Sequence, residues 1–160
     1  MKQLDTGAWL EAKFQSYLKD IDCLSYKPVD FKSLNFLIAN FPQLRSRIPV
    51  CPCDRMVVFQ GKSYWFELKH VKGNLFPFSR LRHHQIGYLL KHHRQGKGGS
   101  FIVLGYQYPT NKRRLYIVPI IDMLSYLAET RKSLSIETVS KNYNEISSSS
   151  DLLKFLQISM

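Results

Sequence analysis

Asp54, Glu67 and Lys69 are residues of the types that hydrolyse phosphodiesters, and their spacing can bring them together. They lie in two β-rich runs, Asp54 to Gln60 and Ser63 to His70, separated by Gly61-Lys62. Glycine at the first central position of a two-residue loop signals a type II′ hairpin. That loop pairs Gln60 with Ser63, Val58 with Trp65, Met56 with Glu67 and Asp54 with Lys69. Side chains alternate along a strand, so Asp54, Met56, Val58, Trp65, Glu67 and Lys69 share one face. Val57, Phe59, Tyr64, Phe66 and Leu68 form an apolar set on the other. A three-residue loop would separate Asp54 from Glu67.

Two neighbouring carboxylates repel, and burying them is costly unless a cation lies between them. Lys69 is one such cation. A divalent metal is another: Mg²⁺ is held by one or two carboxylates while it keeps waters and phosphate oxygens. It lowers the pKa of bound water and stabilises charge developing on phosphorus, and a nearby lysine can orient the attacking water. The residues alone leave two arrangements open, a metal-dependent phosphodiesterase site and an Asp54–Lys69–Glu67 ion-pair network on a solvated sheet face.

The charge distribution bears on the substrate. The chain has 160 residues, 23 Lys plus Arg against 12 Asp plus Glu, a formal charge of +11 and a pI near 9.7. Residues 61–114 hold 11 basic groups and 1 acid, Glu67, so nearly all the excess is in that third. A localised field of this kind suits a polyanion such as nucleic acid. Lys72, Arg80 and Arg82 near Phe76-Pro77-Phe78, with Lys97, Lys112, Arg113 and Arg114 in later loops, form a set able to track a DNA backbone. His83, His92 and His93 suit phosphate contact or plain surface placement. Cys51-Pro52-Cys53 and these histidines do not make one tetrahedral zinc site, because adjacent histidines on a helix diverge by about 100°. Trp65 is read as a packing residue.

The length fits one domain, and 44% hydrophobic residues with 10 Phe, 9 Tyr and 2 Trp can fill its core. No apolar run approaches the ~18–20 residues of a membrane span, and the start lacks a signal peptide's apolar stretch. With an odd count of three cysteines this points to a cytoplasmic protein with reduced thiols. The small size also suits a phage or mobile element.

Helical spacing predicts a first helix from Thr6, its N-cap, to about Asp22, with Glu11 bordering the apolar stripe. A second helix is expected over Phe31 to Phe41, stopped by Pro42, and a third over Ser79 to Gln95, ended by Gly96, Gly98 and Gly99. A second hairpin should join Phe101–Tyr108 to Arg114–Ile120, followed by helices near Asp122–Glu129 and Ile136–Ile146. This order indicates a mixed α/β domain around a sheet, over residues 1–146. Residues 147–160 read as a serine break and a short peripheral helix.

Pro52-Cys53-Asp54, then Phe66-Glu67-Leu68-Lys69, resembles the PD-(D/E)xK nuclease signature. The continuation Phe76-Pro77-Phe78 and His84-Gln85, with Gly7 and Glu11 in the opening helix, resembles the RecU-type Holliday junction resolvases over roughly residues 6–120. The resemblance implies a restriction-endonuclease-like core with a mixed central β-sheet flanked by helices. It implies Asp54, Glu67, Lys69 and Gln85 as catalytic residues. It also implies a Mg²⁺ site, with Mn²⁺ substituting, formed by Asp54, Glu67, the Leu68 carbonyl and Glu11. The partners implied are DNA, a four-way junction or other branch, and a second copy in a homodimer. RecU-type proteins carry a protruding stalk between residues equivalent to 25 and 50, where this chain has the apolar segment Phe31 to Phe41. A non-catalytic DNA-binding protein on the same fold, a restriction-type endonuclease and a flap or end-trimming nuclease are the alternatives.

Overall fold

The computed structural model describes residues 7–28, 39–41, 51–96, 98–108, 110, 112–129 and 131–159. Helix α1, Ala8–Lys19, turns Trp9, Leu10, Phe14, Tyr17 and Leu18 inward as its spacing predicts. It starts after Gly7, which makes no side-chain cap, and it stops before Asp22. Thr6 and most of the segment Phe31 to Phe41 lie outside the described residues.

Strands β1 (Leu24–Tyr26), β2 (Arg55–Phe59) and β3 (Lys62–Lys72) are followed by β4 (Leu75–Pro77), a 3₁₀ turn at Phe78–Arg80 and helix α2 (His83–Arg94). Strands β5 (Gly98–Gln107) and β6 (Arg113–Pro119) come next, then α3 (Ile120–Ala128), β7 (Ser133–Ser135), α4 (Ile136–Asn142) and α5 (Ser149–Ile158). The main sheet has the order β1-β2-β3-β5-β6 and is antiparallel except for β3 and β5. Parallel neighbours require a long crossover, and the stretch containing α2 supplies it. β4 and β7 form a separate antiparallel pair.

Both faces of the sheet are covered. On one, Phe14 of α1 and Leu152 and Leu156 of α5 pack with Phe66, Phe101 and Val103. On the other, Leu89 of α2, Met123 of α3 and Val139 of α4 pack with Ile102, Leu104 and Cys53. The final helix is therefore part of the core, not a peripheral piece. Its apolar stripe fills the sheet face beside α1, and Tyr17 donates its hydroxyl hydrogen bond to the Ser147 carbonyl at 2.6 Å.

The first hairpin differs from its predicted register. Phe59 pairs with Lys62 and Val58 with Ser63, so the loop is Gln60-Gly61. Gln60 at φ 48° and Gly61 at φ 76° both have positive φ, the requirement of a type I′ turn. Glycine takes the second central position, and the less suited Gln60 accepts the left-handed conformation. The pairing slides by two residues, an even number, so every side chain stays on its predicted face.

Other differences are local. The predicted helix Ser79–Gln95 divides because Leu81 and Arg82 are extended between the 3₁₀ turn and α2. The helix predicted to reach Ile146 ends at Asn142, and Glu145 bridges to Tyr116. Strands β1, β4 and β7 have three residues each, too few to produce an alternation signal.

Gly98 opens β5 opposite Ser63 at φ 151°, and a Cβ there would stand 1.6 Å from the Ser63 carbonyl oxygen. Backbone cannot yield as a flexible side chain can. Gly98→Ala should therefore lower stability by about 2 kcal/mol or more in urea unfolding, a large cost for one methyl group.

Candidate active site

Asp54 stands just before β2, where its N–H donates to the Phe66 carbonyl at 3.1 Å and continues the ladder. Continuing that register sets Asp54 opposite Glu67, not opposite Lys69 as the II′ loop predicts. Its Oδ2 accepts from the Leu68 N–H at 2.8 Å, which holds the carboxylate against the neighbouring strand.

Glu67 is only 2% exposed. Lys69 lies two residues further along the same face of β3, and its Nζ donates to Glu67 Oε1 at 2.7 Å. The Gln85 amide nitrogen donates to the same Oε1, while Gln85 Oε1 accepts from Lys69 Nζ at 3.1 Å. Gln85 Oε1 also accepts from the Arg82 N–H at 3.3 Å, so one side chain fixes the start of α2 and grips both charged groups of β3. Glu67 Oε2 is buried and accepts no hydrogen bond among the described residues, and only a proton on the carboxyl could be shared with the neighbouring Asp54.

Burial pushes the Glu67 carboxyl up to about 7, with Asp54 adding to the rise and Lys69 opposing it. Cys53, beside Asp54, is buried, and burial pushes its thiol up so that it stays neutral. Two close carboxylates, one with a bare buried oxygen, form a donor set that fits a hard divalent cation. Among the described residues no group of three His, Cys, Asp or Glu side chains could hold a metal unaided.

These groups line an open cleft of about 810 Å³, which also includes Glu11, Lys27, the Leu68 backbone strand, Arg80, Arg82 and His84. Glu11 is thus brought to the pocket, but its Oε2 pairs with Lys27 Nζ at 3.0 Å, both side chains about half exposed. Lys27 was not apparent from sequence: its link to Glu11 is tertiary and no local spacing reports it. Arg80 is anchored by donating to the His70 carbonyl.

The remaining basic residues do not converge on the cleft. Lys72, His83 and Lys112 are exposed elsewhere, and Lys97 lies outside the described residues. Arg113 rests on the Trp9 ring, and Arg114 engages Glu145 at 3.6 Å. His92 is not at the surface. It is buried, its Nδ1 lies 2.8 Å from Ser100 Oγ and its ring stacks on Trp65 at 4.3 Å. The apolar stripe of α2 carries it inward, and Trp65 is a packing residue as read.

The raised Glu67 carboxyl sets a pH dependence. The folded form holds a proton that an unfolded glutamate, near 4.5, has lost, so stability falls as pH rises from about 4.5 through about 7. Metal-free protein in urea should lose on the order of 3 kcal/mol between pH 4.5 and pH 8 by this group. Glu67→Gln should lose less, and constant wild-type stability over that range would contradict the assignment.

Among curated proteins no sequence matches the chain. Among solved structures, Archaeoglobus fulgidus Hjc, a Holliday junction resolvase from an archaeal hyperthermophile, is similar in fold with a TM-score of 0.54. The sequences are 15% identical, and the match covers 88% of this chain and 97% of that one. The family model of Recombination protein U matches residues 50–159, from just before Asp54 through α5. With the restriction-endonuclease-like sheet and its clustered Asp54, Glu67, Lys69 and Gln85, the chain belongs to the RecU family.

Proposed function

We propose that the chain is a Holliday junction resolvase, an endonuclease that hydrolyses phosphodiester bonds in four-way or otherwise branched DNA. The observation that carries this reading is the bare, buried Oε2 of Glu67 beside Asp54. The ion pair with Lys69 satisfies only Oε1, so once Glu67 is ionised a purely structural network leaves its second oxygen buried beside the Asp54 carboxylate without compensation.

Asp54 and Glu67 would hold Mg²⁺, or Mn²⁺ in its place, with the Leu68 carbonyl, and Glu11 would join them only by leaving its pair with Lys27 at the edge of the cleft. A divalent ion held by these residues would supply a more acidic water and offset charge developing on the phosphate. Lys69, held by Glu67 and Gln85, places an ammonium where it can hold the attacking water by hydrogen bond. Gln85 is a positioning residue that keeps Lys69 and Glu67 in mutual register with α2. Arg80 and Arg82 line the same cleft and suit the flanking phosphates. A four-way junction has two-fold symmetry and needs two cuts, which a C2 homodimer provides.

The test compares synthetic junction, duplex, flap and single-stranded DNA with pure protein and Mg²⁺. The junction should be cut by paired incisions, and Asp54→Asn should slow the reaction by at least about a hundredfold while DNA binding persists. An intact junction, or a wild-type rate in Asp54→Asn, would refute the proposal.

A further inference from the structure

Helix α1 is a wall with a groove on each side. Glu11 lines the catalytic cleft, whereas Trp9, Lys13 and Tyr17 line a second groove of about 690 Å³, closed opposite by Arg113, Glu145 and Ser147. Two cations sit on aromatic rings there: Arg113 lies 4.9 Å from the Trp9 centroid, and Lys13 Nζ lies 4.8 Å from the Tyr17 centroid. A ring face holds a cation in place without neutralising it, so both remain able to bind an anion. The acid of the lining, Glu145, is turned to Arg114 at 3.6 Å.

The rings themselves are buried, Trp9 to 9% and Tyr17 to 7% exposure, so they serve as platforms for the cations and leave little face for a stacking base. Two oriented cations over a rigid floor match the chemistry of phosphate oxygens and not that of a nucleobase.

We infer that this groove is a second DNA-backbone site, in which Lys13 and Arg113 hold phosphates of a strand other than the one in the catalytic cleft. It rests on the nuclease reading only in taking DNA as the ligand. The two grooves are separated by one helix thickness, about 10 Å. One continuous strand would have to climb over α1, so the second set of phosphates comes from the complementary strand of the same duplex or from an adjoining arm.

The experiment is fluorescence anisotropy of the full chain with a labelled four-way junction and a linear duplex, in EDTA, over a range of NaCl concentrations. Each phosphate contact contributes about 0.9 to the slope of log K against log[salt]. Lys13→Glu with Arg113→Gln should flatten the slope by about 1.8, and Lys13→Glu alone, at an exposed helical position, by about 0.9. Flattening on both DNAs assigns the phosphates to the complementary strand, and flattening on the junction alone assigns them to an adjoining arm. Unchanged slopes in both variants would overturn the inference even if the wild type cuts junctions. Flattened slopes in a protein that cuts nothing would keep this groove and reject the nuclease reading.

Discussion

A carboxylate buried on a packed face of the sheet is the constraint around which this structure is arranged. Glu67 lies mid-strand in β3, flanked by apolar neighbours and next to a second acid, where an isolated charge is strongly disfavoured. Lys69 and Gln85 stabilise one oxygen and leave the other bare. The position of α2 follows from that arrangement, since Gln85 reaches Glu67 and Lys69 only if the helix begins at His83 with Arg82 as its N-cap. The break after the 3₁₀ turn, which divides an otherwise continuous helical pattern, sets that start.

The sheet holds the two acids together by backbone means. Asp54 is fixed by its own N–H and by its side chain accepting from Leu68, so its carboxylate cannot swing away from Glu67. α1 then crosses the opposite face of the sheet, bringing Glu11 to the cleft from outside the hairpin and turning Lys13 to the other side. A short helix thereby contributes to both the cleft of Asp54 and Glu67 and the groove of Lys13 and Arg113. Burial of Phe14 against Phe66 at 5.1 Å ties the orientation of that helix to the strand carrying Glu67.

The site was largely legible because hairpin parity is robust. The observed turn and pairing differ from the predicted ones, yet an even slide leaves Asp54, Glu67 and Lys69 on a common face. Gln85 was reached through the family resemblance, and no spacing on β3 alone would identify it. Three features were not legible. Lys27 meets Glu11 across sixteen residues of sequence with no periodic link. The hydrophilic type of His92 suggests a surface group, yet it lies on the buried stripe of α2. The serine run before the last helix looks like a break and so suggests a peripheral piece. Ser148 instead caps the helix, its Oγ accepting from the Asp151 N–H at 3.2 Å, and the helix packs into the core.

On the proposed reading, Asp54 and Glu67 Oε2 hold a metal ion instead of closing an ion-pair network with Lys69. Calorimetric titration of the metal-free protein with Mn²⁺ at pH 8, without DNA, tests it most directly. Saturable binding in the wild type that is lost in Glu67→Gln is the predicted result. A wild type that takes up no Mn²⁺, or a Glu67→Gln variant that binds it equally well, would contradict the account.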